Sequence, residues 1–292
     1  MSYIVNHCEK LTLVNDDVSE IDTILSSLSC ITEGDRRSII THLVKDFGRK
    51  KRKDGTPYVN HLKHTLLNVL SQYGENISRI PVLVAILHDS IEDTRFKFEK
   101  LRDVFGIEVA ICVDFLSKKA FWKFIGEVPD ISQEESQAHH AQLFIIFKLL
   151  EMEGITHEYQ IDEDDIPDKL KEYWKNLKSP YKKSQQEEYF GRFTSRKDMR
   201  LKLVSKLGIQ GIHLEEIIID EIVDAIISVK LADRLHNLGT LTENHQKKLD
   251  ETLSYLKNII QEIIDTPIGN QISTEISWLQ HTYSGNNAQE AG

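Results

Sequence analysis

Apolar positions along this chain recur at intervals of three and four, and no stretch of strand length alternates with a period of two. The pattern predicts an all-α fold. A helix is expected from about Asp35 to Arg49, with Ile39, Ile40, Leu43, Val44 and Phe47 at helical spacing. Asp54-Gly55-Thr56-Pro57-Tyr58 interrupts it, glycine and proline being the strongest local breakers. A second helix is expected from about His61 to Tyr73, and a third from the start signal at Ser78–Pro81 to about Asp93. Two more divide at Phe105-Gly106. The longest runs from about Glu215 through Leu241, and another from about Gln246 to Ile264.

Residues 119–195 depart from this rhythm. Acids crowd between Glu127 and Asp168, including Asp162-Glu163-Asp164-Asp165, and basic residues dominate from Lys169 to Lys206. The stretch reads as an insertion between two halves of one domain. The expected organisation is a helical extension over 1–34 and a main domain over 35–265 interrupted by 119–195. A C-terminal helix and disordered tail follow over 266–292.

Composition narrows the function classes. A net charge of −10 argues against a general nucleic-acid binder, whose footprint is a basic domain. It leaves room for a small anionic ligand, because Arg49–Lys53 and Arg192–Lys206 are locally basic. No apolar run approaches the ~20 residues of a membrane span. MSYIVNHCEK lacks the basic start and apolar stretch of a secretory signal, and Cys8, Cys30 and Cys112 suit a reducing compartment. A cytoplasmic enzyme is expected.

The chemistry concentrates in Ile80–Thr94. An apolar helix ends in His88, Asp89, Glu92 and Asp93, which at ~100° per residue share one face. Carboxylates clustered at the end of a buried helix repel one another and resist desolvation, a conflict that a bound cation removes. The plainer reading is a helix end emerging into water, and for this segment alone the two stand about even. Other segments tip the balance. His61 opens the preceding helix, and Asp233, Asn237 and Thr240 form a polar stripe on an otherwise apolar one.

The order His61, His88-Asp89, Asp233 resembles the H…HD…D signature of the HD phosphohydrolase superfamily. Arg52–His61 is similar to the RKxGxPYxxH segment of RelA/SpoT-type hydrolase domains, and Leu87–Thr94 to their LHDxxEDT. Phe105–Ala110 with Ser117-Lys118, Lys230–Leu241, and Glu251-Thr252-Leu253 resemble further elements of that family. Together the segments cover about 35–118 and 220–260. Gly239, Asp54 and Phe47 depart from its usual arginine, serine and histidine.

The resemblance implies a helical HD-domain fold and one divalent metal, typically Mn²⁺, held by His61, His88, Asp89 and Asp233. Residue types alone would also allow Fe²⁺ or Zn²⁺. It implies hydrolysis of the 3′-pyrophosphate of (p)ppGpp, or of an adenine analogue, to GDP or GTP and pyrophosphate. Glu92 and Asp93 are then placed to orient or deprotonate water or to assist the leaving group. Arg52 would stack on or bond to the base with Lys53 beside it, Asn237 and Thr240 would bond the nucleoside, and Lys248 would contact phosphate. Tyr58 is read as a turn-anchoring core residue, with shaping of the pocket as the alternative, His236 as packed behind the ligands, and His64 as an ordinary surface or core histidine. Arg192, Arg196, Lys197 and Arg200 read either as charge over the phosphates or as an ordinary helix face.

Competing expectations are an HD-type nucleotidase, phosphodiesterase or NADPH-type phosphatase, and a non-catalytic nucleotide-sensing module. A protein partner could dock on 119–195. Too few residues follow the last matched helix for a synthetase half, so the expected enzyme degrades the alarmone and does not make it.

Overall fold

The computed structural model describes residues 16–52, 54–120 and 182–239, with a few isolated positions besides. Among these the architecture is all helical, and the only strand-like pairing is one bridge between Lys51 and Pro57. The helices are α1 (Asp16–Ser27), α2 (Glu33–His42), α3 (Tyr58–Tyr73), α4 (Arg79–Leu87), α5 (Ser90–Asp93), α6 (Phe98–Phe105) and α7 (Ile107–Leu116). After them come α8 (182–191), α9 (Arg196–Ile209) and α10 (Glu216–Gly239).

α4 and α10 form the interior. Every α4 residue from Ile80 to Leu87 is buried, and α10 buries Ile222, Val223, Ile226, Val229, Leu231 and Ala232. α10 packs against α3, α4 and α7, so His61, His88 and Asp233 start from neighbouring helices. α1 is tied to α3 through the buried Lys63 ammonium, 2.5 Å from Asp17 and 2.9 Å from Glu20. α2 begins with a reciprocal Thr32–Asp35 capping box, and Asp35 also takes Arg79 at 2.6 and 3.0 Å.

Three expected boundaries move. The helix expected from Asp35 to Arg49 starts at Glu33 and loosens after His42 into a π-helical turn over Leu43–Phe47. The helix expected to open at His61 opens at Tyr58, because Pro57 has a φ of −57° that suits a helix entry. The third helix was expected to run unbroken to Asp93. It stops at Leu87, and Asp89 sits at φ −95°, ψ 1°, the bridge region, before one further turn forms α5. The division at Gly106 is as expected, its φ of 96° being glycine's territory.

Residues 182–193, expected to close the insertion, pack into the core. Tyr189, Phe193 and Gln185 are buried, Gln185 donates to the Lys119 carbonyl at 2.7 Å, and Arg192 donates to the carbonyls of Phe115 and Ser117. Most of 119–181 and the expected helix from Gln246 to Ile264 lie outside the described residues, as do Lys53, Thr240, Lys248 and nearly all of the expected C-terminal tail.

Candidate active site

The loop Lys50–Tyr58 is a tight turn. Arg52 N–H donates to the Thr56 carbonyl (2.8 Å), Tyr58 N–H to the Lys50 carbonyl (2.9 Å), and Gly55 sits at φ 86°. Asp54 accepts from both the backbone and the hydroxyl of Thr56, so the departure from serine keeps a turn-forming side chain. The turn sends Arg52 to one side of the site and Tyr58 to the other.

His61, His88 and Asp233 converge, with one ligand atom from each inside a 4.8 Å cluster. His61 Nε2 lies 3.2 Å from His88 Nε2 and 3.5 Å from both Asp89 Oδ2 and Asp233 Oδ1. His88 Nε2 lies 3.1 Å from Asp89 Oδ2. All four expected ligands therefore share one buried point.

The outer nitrogens fix the inner ones. His88 Nδ1 donates to the Ala85 carbonyl at 2.9 Å, and His61 Nδ1 donates to His236 Nδ1 at 2.9 Å. His236 also receives an N–H from Arg52 at 3.0 Å. Both contacts share the single Nδ1 lone pair of a neutral His236, and burial, reinforced by His61 and Arg52, pushes its pKa down to about 3. With both Nδ1 atoms donating, two Nε2 atoms face each other and need a proton or a cation between them. Burial opposes a charge on His88, but Asp89 and Asp233 prevail and raise its pKa to about 9. Burial likewise raises Asp89 and Asp233, yet the imidazoles, with Lys230 and Arg234 beside Asp233, hold both carboxyls low. Two imidazole nitrogens and two carboxylates fit a divalent cation of the Mn²⁺, Fe²⁺ or Zn²⁺ kind.

The two carboxylates expected to work together, adjacent in α5, turn to different partners. Asp93 turns toward the ligands: Tyr58 OH lies 2.7 Å from Asp93 Oδ2 and 2.7 Å from Asp89 Oδ2, and Lys50 Nζ lies 2.8 Å from Asp93 Oδ1. Glu92 turns away, its oxygens taken by the Lys118 backbone N–H (2.6 Å) and ammonium (3.3 Å). Burial, then the Asp89 charge, raises the Asp93 pKa against the pull of Lys50.

Arg52 and Asn237, both expected near a nucleoside, meet directly at 2.8 Å, and Asn237 donates to Asp233 Oδ1 at 2.5 Å. His64 is exposed and stacks on His236 with centroids 5.1 Å apart. Arg196 pairs with Asp224, and Arg200 with Glu216 and Asp220, which is the helix-face reading. Sequence reasoning gave no role to Lys50, Lys230 and Tyr189, and preferred a structural part for Tyr58. Phe47, fully buried, stacks on the Tyr58 ring at 5.3 Å, which accounts for an apolar residue there.

No helix among the described residues is long and apolar enough to cross a membrane. No family model matches the chain, and no solved structure matches it significantly. Among curated proteins it is 36% identical over 93 residues to the guanosine-3′,5′-bis(diphosphate) 3′-pyrophosphohydrolase MESH1 of Danio rerio, covering 32% of this chain and 48% of that protein. It is 38% identical over 96 residues to a GTP pyrophosphokinase of Myxococcus xanthus, covering 32% of this chain and 12% of the relative. It is 34% identical over 80 residues to the guanosine-3′,5′-bis(diphosphate) 3′-pyrophosphohydrolase of Aquifex aeolicus, covering 27% of this chain and 11% of the relative. The matches thus span about half the Danio rerio protein and smaller shares of the bacterial ones. Over about a third of its length, this chain is similar to curated guanosine-3′,5′-bis(diphosphate) 3′-pyrophosphohydrolases and GTP pyrophosphokinases.

Proposed function

We propose that this protein is a metal-dependent hydrolase of the 3′-pyrophosphate of (p)ppGpp or a close purine analogue. The observation that carries the reading is the pair of facing His61 and His88 Nε2 atoms with Asp233, all buried, and the half-buried Asp89 beside them, oriented by bonds from behind. A divalent cation held there would acidify water and polarise a phosphate oxygen. Asp93, joined to the ligand Asp89 through Tyr58, is the proton carrier, accepting from water or delivering to the departing oxygen. Glu92 contributes with Lys118 as a buried ion pair that fixes the chain entering the site after α7. Arg52 offers a planar guanidinium to a purine, and Asn237 orients both Arg52 and Asp233. Lys53, Thr240 and Lys248 complete the proposed substrate contacts, and Mn²⁺ is the proposed metal.

The test is turnover of ppGpp with Mn²⁺, with products separated by ion exchange and Asp89→Ala as control. GDP and pyrophosphate, absent in the control and after chelation, are expected. A folded, Mn²⁺-loaded protein that leaves ppGpp intact overturns the substrate assignment.

A further inference from the structure

Resting on the metal-centre reading above, we infer that Tyr189 is a positioning residue for that centre, and that 182–193 is a working part of the hydrolase domain. Asp233 divides its carboxylate. Oδ1 faces His61 Nε2 and accepts from Asn237, whereas Oδ2 faces the Lys230 ammonium at 3.2 Å. Lys230 is buried one turn before Asp233, and its other oxygen partner is the Tyr189 hydroxyl at 2.5 Å. Its ammonium lies 4.7 Å from the Tyr189 ring centroid and 5.7 Å from that of Phe193.

A buried ammonium with two oxygen partners is shared between them. Tyr189 holds Lys230 to one side, so that the lysine pins Oδ2 without closing over Oδ1. Remove the hydroxyl, and among the described residues Lys230 has Asp233 as its one remaining oxygen partner, competing with a cation for the same carboxylate. The same ring reaches the other carboxylate of the site, since the Lys118 ammonium that holds Glu92 stands 5.0 Å from its centroid. Tyr189 is 1% exposed, so its hydroxyl faces these groups and not solvent. One residue from within the expected insertion thus backs both Asp233 and Glu92.

The experiment is a Mn²⁺ titration of the full-length wild type and Tyr189→Phe, read from the loss of the free-ion electron paramagnetic resonance signal. The dissociation constant is expected to rise about tenfold in Tyr189→Phe, as for other residues that orient metal ligands. Activity should return at higher Mn²⁺. A Kd within twofold of wild type in the folded variant overturns the inference and leaves the metal centre standing. No uptake by the wild type overturns both. If Tyr189→Phe does not fold, Lys230→Gln takes its place, and an unchanged Kd there is equally decisive, because Tyr189 acts through Lys230.

Discussion

The Tyr58 hydroxyl stands 2.7 Å from a carboxylate oxygen of Asp89 and 2.7 Å from one of Asp93. It has one proton to give. Burial and the two carboxylates push its pKa well above the usual phenol value, so it stays a donor. The second contact requires a carboxyl proton, which suits Asp93, whose pKa is raised. Tyr58→Phe keeps the stack on Phe47 and removes only this bridge. It should cost about 1–3 kcal/mol of stability. It should also lower kcat on the order of 10²-fold with little change in KM, because Asp93 loses its registration with Asp89. Steady-state kinetics with urea unfolding measures both.

Mn²⁺ should stabilise the fold. Binding to the folded state alone at 100 times Kd adds about 2.7 kcal/mol, and chelation should remove it. The shift in Tm with and without chelator reads this directly. Asp89→Asn should abolish most of the shift, and an equal shift in that variant would place the ion elsewhere.

Arg52→Ala should raise KM for the nucleotide by roughly tenfold, about 1.4 kcal/mol. Arg52→Lys should not rescue it, because a point charge cannot span His236 and Asn237 as the guanidinium does. Comparison of KM and kcat for the two variants is the measurement. A fully active lysine variant would leave Arg52 only a charge to contribute.

Acid should loosen the α2–α4 contact. Burial raises Asp35, but the Arg79 guanidinium and Thr32 outweigh it and hold the carboxyl below its usual 3.8. A depressed folded pKa contributes stability that is complete above the unfolded value and is lost as pH falls through the folded one. Asp35→Asn should therefore destabilise the protein at pH 7 and flatten the fall in urea midpoint below pH 4.

The convergence of His61, His88, Asp89 and Asp233 was legible because each proposed ligand is an ionisable residue placed against an apolar helical background. Helix types were legible for the same reason. The break after Leu87 was not, since periodicity continues through Asp93 while the backbone leaves the helix at Asp89. Tyr58 read first as a core aromatic and is half-buried, while Tyr189 drew no reading and is buried; their hydroxyls matter through partners that local spacing does not reveal. Lys230 was hidden in an apolar run, where a lone lysine reads as one that reaches for solvent. The one signal available was its place three residues before a candidate ligand. Lys53, Thr240 and Lys248 lie outside the described residues, and their proposed contacts rest on sequence.

The bond from His61 to His236 joins positions 175 residues apart, and that from Arg52 to His236 joins positions 184 apart. Neither end of the chain holds the centre by itself. As the polypeptide leaves the ribosome, His61 and the His88-Asp89 pair emerge long before α10, and until α10 docks they have an incomplete nest. Capture of the proposed cation would therefore come late in the life of the newly made chain and double as a seal on the finished topology.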